Sequence, residues 1–172
     1  FFKGIRRLPS AHYLTLQEGK LEINCYWSID QTRIIRYQRN EDYVEHFYEI
    51  FKRATQSRMR SSSPIVSFLS GGLDSSAVTS MAAKILVEKK LNSSHLCALN
   101  QFSDDPLSDE RAYAREVAKQ ADIRLYEFFT HVQDPLKGLD EFLWKAEALF
   151  VSTSQDCEAY EFVRDKGLRV IL

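Results

Sequence analysis

Pro64-Ile65-Val66-Ser67-Phe68-Leu69-Ser70-Gly71-Gly72-Leu73-Asp74-Ser75-Ser76 is the stretch whose reading decides the fold. It opens on a short, mostly apolar run bounded by a proline and a glycine pair. Such a run reads as a strand buried on both faces. Behind the glycines, Val78, Met81, Ala82, Ile85 and Leu86 recur at helical spacing, and the stripe closes on Glu88-Lys89-Lys90. Strand, glycine loop and helix in this order are the start of a parallel sheet, because parallel neighbours need a crossover between them.

Toward the C-terminus the alternation repeats. His95 to Phe102 reads as a second strand, and Ser108 is placed to cap a helix running through Ala121, with Asp109 and Glu110 on its positive end. Ile123 to Phe129 reads as a third strand. Leu136, Leu139, Phe142, Leu143 and Ala146 form a helical stripe that Trp144 borders, and Ala159, Tyr160 and Val163 form a shorter one. Gly167 suits the position just past a helix, ahead of a last strand at Leu168 to Leu172. The fold class expected is α/β: a parallel sheet with helices on both faces and right-handed crossovers.

Toward the N-terminus the pattern changes. Asn40 can cap a long helix with Glu41 and Asp42 in its first turn and Arg58 and Arg60 near its end. Tyr43, Phe47, Phe51 and Ala54 are expected to be its buried stripe. Asp30 to Asn40, carrying Arg33, Arg36 and Arg39, reads as a polar linker. Before it, His12 to Leu16 and Lys20 to Trp27 read as a short β-hairpin around Glu18-Gly19, with Cys25 a packed thiol and Trp27 its anchor. A lone hairpin is marginal in water, so it reads as part of another sheet. The boundary falls between residues 1–30 and 31–172.

Composition excludes several classes. Of 172 residues, 44% are hydrophobic and 27% charged, which is globular rather than disordered. The net charge of −1 speaks against nucleic acid or an anionic membrane as partner. Cys25, Cys97 and Cys157 form no C-x-x-C pair, so a structural zinc site and a disulfide framework are poorly supported, and a reducing cytoplasm is the expected compartment. No apolar run reaches the ~20 residues of a membrane span. No signal peptide opens the chain. It begins Phe1-Phe2 and stops on Val170-Ile171-Leu172, which reads as a piece of a longer protein.

The chemistry is expected at Ser70-Gly71-Gly72-Leu73-Asp74-Ser75-Ser76, since ligands of open α/β sheets bind at the carboxyl ends of strands. Adjacent glycines let the backbone approach a ligand, and the N–H groups of a loop and helix start cradle an anion. Ser70, Ser75 and Ser76 can add hydroxyls. The Walker spacing and lysine are absent, and so is G-x-G-x-x-G. Asp74 inside an anion cradle would repel phosphate unless a divalent cation lay between them, and Mg²⁺ is commonly held by one carboxylate plus substrate phosphates. These residues ask for Mg²⁺ with a polyphosphate.

Here the chain resembles the PP-loop ATP pyrophosphatases, whose signature is S-G-G-x-D-S and whose sheet is adenine nucleotide alpha-hydrolase-like. Within them it resembles the synthetase half of the glutamine-dependent asparagine synthetase family. Phe2-Lys3-Gly4-Ile5-Arg6-Arg7-Leu8-Pro9 with His12 and Tyr26-Trp27 is similar to the end of that family's glutaminase domain and its tether. Ser108 to Arg115 is similar to its helix after the second strand, and Gly167 to Leu172 to the strand before its second glycine-rich loop.

The resemblance implies that Ser70, Gly71, Gly72 and Ser75, with Ser76 at the end of the loop, hold the β- and γ-phosphates of ATP. It implies that Asp74 is the catalytic Mg²⁺ ligand and that Leu69 and Leu99 flank the adenosine. It further implies adenylation of aspartate or another carboxylate, then attack by ammonia drawn from glutamine, and it leaves a homo-oligomer open. Related cyclases that close a β-lactam or a peptide share these motifs, and a non-catalytic nucleotide-binding module would keep the loop alone. A thiolating PP-loop enzyme fits poorly without C-x-x-C pairs. The family's nucleophilic N-terminal cysteine has no counterpart in Phe1, and its S-G-x-G-x-D-E loop would begin just after Leu172. Glu147 to Ser154 lacks the proline of the family pattern, which bears on the acceptor. Asp104-Asp105-Pro106 reads as a turn, and His12, His46, His95 and His131 carry no metal spacing.

Overall fold

A computed structural model describes residues 3–130, 140, 143–144 and 154–172. The chain divides into two compact units, residues 1–42 and 43–172.

The first unit holds β1 (His12–Gln17) and β2 (Lys20–Cys25), antiparallel with Gln17 opposite Lys20. The connecting residues both take positive φ, 51° at Glu18 and 78° at Gly19. That is the requirement of the tight turn whose twist matches a hairpin. Every strand residue except His12 is exposed, so the alternation of Leu14, Leu16, Leu21 and Ile23 builds no buried core. Two expectations are corrected. Cys25 is an exposed thiol whose Sγ lies 3.2 Å from the Trp27 carbonyl, not a packed one, and Trp27 is 60% exposed rather than an anchor. The physical reason is the missing layer: two strands alone offer no surface on which either residue could pack.

In the second unit β3 (Ile65–Phe68), β4 (Leu96–Phe102), β5 (Arg124–Phe129) and β6 (Val170–Ile171) form one parallel sheet in the order β5-β4-β3-β6. α2 (Leu73–Glu88) and α3 (Arg111–Gln120) cover one face, packing Ala82, Ala83 and Leu86 on Ile65 and Leu96, and Ala114 and Ala118 on Leu69 and Ala98. α4 (Ser154–Asp165) covers the other face, where Ala159 and Val163 meet Val66, Cys97 and Leu99. Small residues on the helices let them sit close to a sheet of large aliphatics. β3 is one of the two inner strands, and its end feeds the glycine loop directly. Gly167 ends α4 at φ 73°, with its N–H donating to the Arg164 carbonyl and that of Leu168 to Val163. This is the paired bonding that satisfies the last carbonyls of a helix.

α1 (Asn40–Arg58) forms over the expected span, with Asn40 its first helical residue and Arg60 beyond its end, but it faces differently. Tyr43, Phe47 and Ala54 are exposed and Phe51 is half-buried. The inward row is Tyr48, Lys52, Thr55 and Met59: Lys52 pairs with Glu88 at 2.7 Å, Lys84 lies over the Tyr48 ring, and Thr55 is buried. An apolar stripe tells which side of a helix prefers cover, whereas the two cation–carboxylate and cation–ring contacts with α2 decide which side received it.

α3 begins two residues later than Ser108 predicts, with Glu110 rather than Ser108 in the N-cap position. Asp105 captures the preceding turn through Leu107 N–H at 3.0 Å and Ser108 N–H at 3.2 Å, and the Ser108 hydroxyl donates back to the Asp105 carbonyl. Asp104-Asp105-Pro106 is thus part of a turn, as its sequence reads. Leu136, Leu139, Phe142 and Ala146, His131, and the stretch from Glu147 to the start of α4 at Ser154 lie outside the described residues, while Leu143 and Trp144 are helical. Among the described residues no helix is long and apolar enough to cross a membrane.

Candidate functional site: the loop between the central strand and α2

β3 ends at the sheet's carboxyl edge, and the chain turns there through Ser70-Gly71-Gly72 into α2. Gly71 sits at φ 97°, and a Cβ on it would lie 2.8 Å from Tyr113 Cβ and 2.9 Å from the Glu110 carbonyl oxygen. Only glycine fits this place, for both reasons. The close approach lets the first turn of α3 abut the loop.

The serines draw the loop into a hydrogen-bonded ring. Ser70 Oγ and Ser75 Oγ are 2.9 Å apart, Ser70 N–H donates to Ser75 Oγ at 3.2 Å, and Gly72 N–H donates to Ser70 Oγ at 3.1 Å. Gly72 is also the N-cap of α2 and has no side chain to cap the first turn. The N–H groups there are therefore open to an anion, and the positive end of a 16-residue helix favours one. Asp74 stands exposed in that first turn. Ser76 differs from the other serines: its hydroxyl is buried and has no partner.

Beside the loop lies a cleft of about 420 Å³, lined by Phe68, Leu69, Leu99 and Phe102 and by the polar Ser70, Gln101, Ser103, Ser108 and Thr130. Apolar walls with a few polar groups are the usual make-up of a small-molecule site. The Gln101 amide donates to Thr130 Oγ1 at 2.9 Å. Arg111 lays its guanidinium 4.1 Å from the centre of the Phe102 ring, behind the cleft wall. It is held there by Asp109, whose oxygens lie 2.8 and 2.6 Å from Nε and a terminal nitrogen. The same pairing, with the Arg111 backbone N–H, pulls the Asp109 carboxyl down to about 2. Asp109 is thereby committed to Arg111 and the start of α3. Of the residues named from the sequence, Leu69, Ser70 and Leu99 line the cleft, and Ser70, Gly72 and Ser75 form the ring with Asp74 on its helix side.

Gln101, Thr130 and Phe102 were not legible as cleft residues, and neither was Asn100 as the side chain that holds the start of the loop. The one signal was Asn100 itself, an amide inside the otherwise apolar run Leu96-Cys97-Ala98-Leu99. It is 2% exposed, and its Nδ2 donates to the Leu69 carbonyl at 2.8 Å. For a metal, the described residues contain no group of three or more His, Cys, Asp or Glu side chains placed to hold one. A single exposed carboxylate beside a hydroxyl-rich anion cradle fits Mg²⁺ that takes its other ligands from phosphate and water.

Comparison with known proteins bears on the whole arrangement. Over 82 residues the chain is 38% identical to asparagine synthetase [glutamine-hydrolyzing] 3 of Bacillus subtilis, covering 48% of this chain and 13% of that protein. Over 106 residues it is 34% identical to the asparagine synthetase [glutamine-hydrolyzing] of Zea mays, covering 61% and 18%. It is 25% identical over 158 residues to the amidase chyE of Penicillium rubens, covering 86% and 24%. The chain thus spans less than a quarter of the length of each of these relatives. The family model described as asparagine synthase matches residues 46–172, from within α1 through the whole sheet and its loop, and the chain therefore belongs to the asparagine synthase family.

Proposed function

We propose that the loop from Ser70 to Ser76 takes the polyphosphate of ATP, and that the parent protein spends that ATP on making an amide, as an asparagine synthetase does. The observation that supports this most is the ring of Ser70, Gly72 and Ser75 at an uncapped helix start, with Asp74 exposed beside it. In this reading Ser70, Gly71, Gly72 and Ser75 hold the β- and γ-phosphates, Ser76 closes the loop, Asp74 holds Mg²⁺, and Leu69 and Leu99 flank the adenosine in the adjoining cleft. A carboxylate is a poor electrophile. Attack of its oxygen on the α-phosphorus breaks the bond to the β-phosphate oxygen and releases pyrophosphate. Ammonia then displaces AMP from the mixed anhydride. The loop's contribution is positioning, together with neutralisation of charge on the departing pyrophosphate. Mg²⁺, when bound, supplies part of that neutralisation.

The remaining proposals are coarser. Ammonia is drawn from glutamine, residues 1–30 are the closing hairpin and tether of a glutaminase-type domain, and residues 31–172 are the first part of the synthetase domain. The setting is the cytoplasm. Aspartate is the first acceptor to test, and the similarity to a fungal amidase over most of the chain favours including other carboxylates.

Calorimetric titration with ATP and Mg²⁺ tests the core of the reading. Asp74→Ala should weaken MgATP binding by ~10-fold or more, since metal-mediated charge neutralisation is worth several kcal/mol. The far-ultraviolet spectrum should not change. Equal affinity in the two forms would remove Asp74 from metal binding.

A further inference from the structure

Among the described residues, the buried side-chain polar atoms without a hydrogen-bond partner are Ser76 Oγ and Asn100 Oδ1. Both belong to the floor of the loop. Ser67 Oγ and Thr79 Oγ1 lie 2.7 Å apart, which fixes the face of α2 that looks onto β3. Ser76 precedes Thr79 by three residues, so it shares that face one turn nearer the loop. On the sheet, Ser67 is level with Ala98 and Phe68 with Leu99, and the next pair along is Leu69 and Asn100. Side chains two apart on a strand share a face, so Asn100 emerges on the side of Ala98, beneath α2 and α3.

A hydroxyl and an acceptor-only oxygen are therefore both turned into the space between α2 and the sheet, under the loop's exit and its entry, and neither has a hydrogen-bond partner. Each is the kind of group the other lacks. Burying either unpaired is costly, and such atoms in a folded protein call for an explanation. Asn100 already uses its other half: Nδ2 holds the Leu69 carbonyl, the last peptide oxygen before Ser70.

We propose that Asn100 and Ser76 form a clamp beneath the loop. The Asn100 amide nitrogen holds the entry of the loop at Leu69. The Ser76 hydroxyl, at the exit, donates to Asn100 Oδ1, directly or through one buried water, as the loop draws in around a polyphosphate. This deepens the reading of the loop as a polyphosphate site and rests on it. Asn100 is a positioning residue, because a side chain 2% exposed does not reach the phosphates. The choice of an amide follows from the geometry. A carboxylate at residue 100 would set oxygen against the Leu69 carbonyl, and a leucine would fill the space while offering neither donor nor acceptor.

The test uses the chain as it stands, with Asn100→Leu, Asn100→Asp, Ser76→Ala and the double variant of Leu and Ala. MgATP affinity is measured by calorimetry, and amide hydrogen exchange is followed by magnetic resonance with and without MgATP. Asn100→Leu should weaken MgATP by ~10-fold or more, and Ser76→Ala by ~3-fold or more, in keeping with single buried hydrogen bonds. The double variant should be no weaker than Asn100→Leu alone, because each change breaks the same bond. Without ligand, exchange at Gly71 to Ser75 should quicken in Asn100→Leu while the centre of β4 keeps its protection. Additive losses overturn the clamp, as do loop amides that exchange at wild-type rates in Asn100→Leu. If the unaltered chain binds no MgATP, the nucleotide reading fails, and the ligand-free exchange still decides whether Asn100 holds the loop. Should the residue-100 variants not fold, Ser76→Ala decides: wild-type MgATP affinity and loop exchange in it overturn the clamp, and weaker binding with faster exchange upholds it.

Discussion

The hairpin β1–β2 and the strand pair β3–β4 carry similar local information and end in opposite states. Both are short strands rich in aliphatic residues, with registers set by backbone bonding. Yet Leu14, Leu16, Leu21 and Ile23 are exposed, whereas Ile65, Val66, Leu96 and Leu99 are at most 1% exposed. The difference is cover. β3–β4 has helices on both faces, and each large side chain buried there contributes ~1.5–3 kcal/mol relative to exposure. In the hairpin the same residue types, 46–68% exposed, contribute much less. Strand propensity and turn chemistry produce a hairpin, and only a second layer turns one into a core.

The largest expected effect is the sharpest test of this contrast. Leu96→Ala should destabilise by about 2–5 kcal/mol in urea unfolding, as buried leucine truncations do. Leu21→Ala should stay within about 0.5 kcal/mol, as surface changes do. A comparable loss from Leu21→Ala would mean that the hairpin has cover of its own.

Next come the two glycines at the two turns. Gly19, at φ 78°, has nothing within 4 Å of where a Cβ would go, while Gly71, at φ 97°, would drive one into Tyr113 and Glu110. Gly19→Ala should cost only the left-handed penalty of ~1–2 kcal/mol. Gly71→Ala should add an overpacking cost of about 1–3 kcal/mol and weaken MgATP as well. Thermal melts of the two variants compare them directly, and equal shifts would remove the contact between the loop and α3 from the account.

Thiol chemistry separates the regions without mutating either strand. In a Cys157→Ser background, Cys25 should react with a thiol reagent at an ordinary exposed rate. Cys97 is buried in the sheet, and burial raises its pKa, so it should react only as fast as the sheet opens. Biphasic labelling followed by mass spectrometry checks this; a single fast phase would contradict the packing of β4.

The smallest effect is expected where both regions rely on neighbours in the chain. Asp30 is lowered by hydrogen bonds from Thr32, side chain first and then backbone. Asp109 is lowered to about 2 by Arg111. A depressed carboxyl stabilises the folded state above its unfolded value, and that contribution is lost as pH falls through the folded one. Carboxyl titration by magnetic resonance should place the Asp109 midpoint near 2, and Arg111→Ala should return it toward ~3.9. The loss belongs to acid below that ordinary value and leaves neutral pH untouched.

What could be read in advance follows from the range of the forces involved. Strand order in the chain, the glycine loop, the span of α1 and the stop at Gly167 rest on neighbours a few residues away, so residue type and spacing were enough. The ring residues Ser70, Gly72 and Ser75 were legible for the same reason, since they lie within one turn of chain. The inward face of α1 was not, because Lys52 finds Glu88 and Tyr48 finds Lys84 only after α1 and α2 pack. Ser108 lost its capping role to a turn whose hydrogen bonds the helix pattern does not report. Asn100 and Ser76 stand apart by 24 positions in the chain. They share the floor of the loop because parallel pairing sets Leu69 beside Asn100 while α2 folds back over β3. Local chemistry chose the loop, and long-range packing chose what stands beneath it.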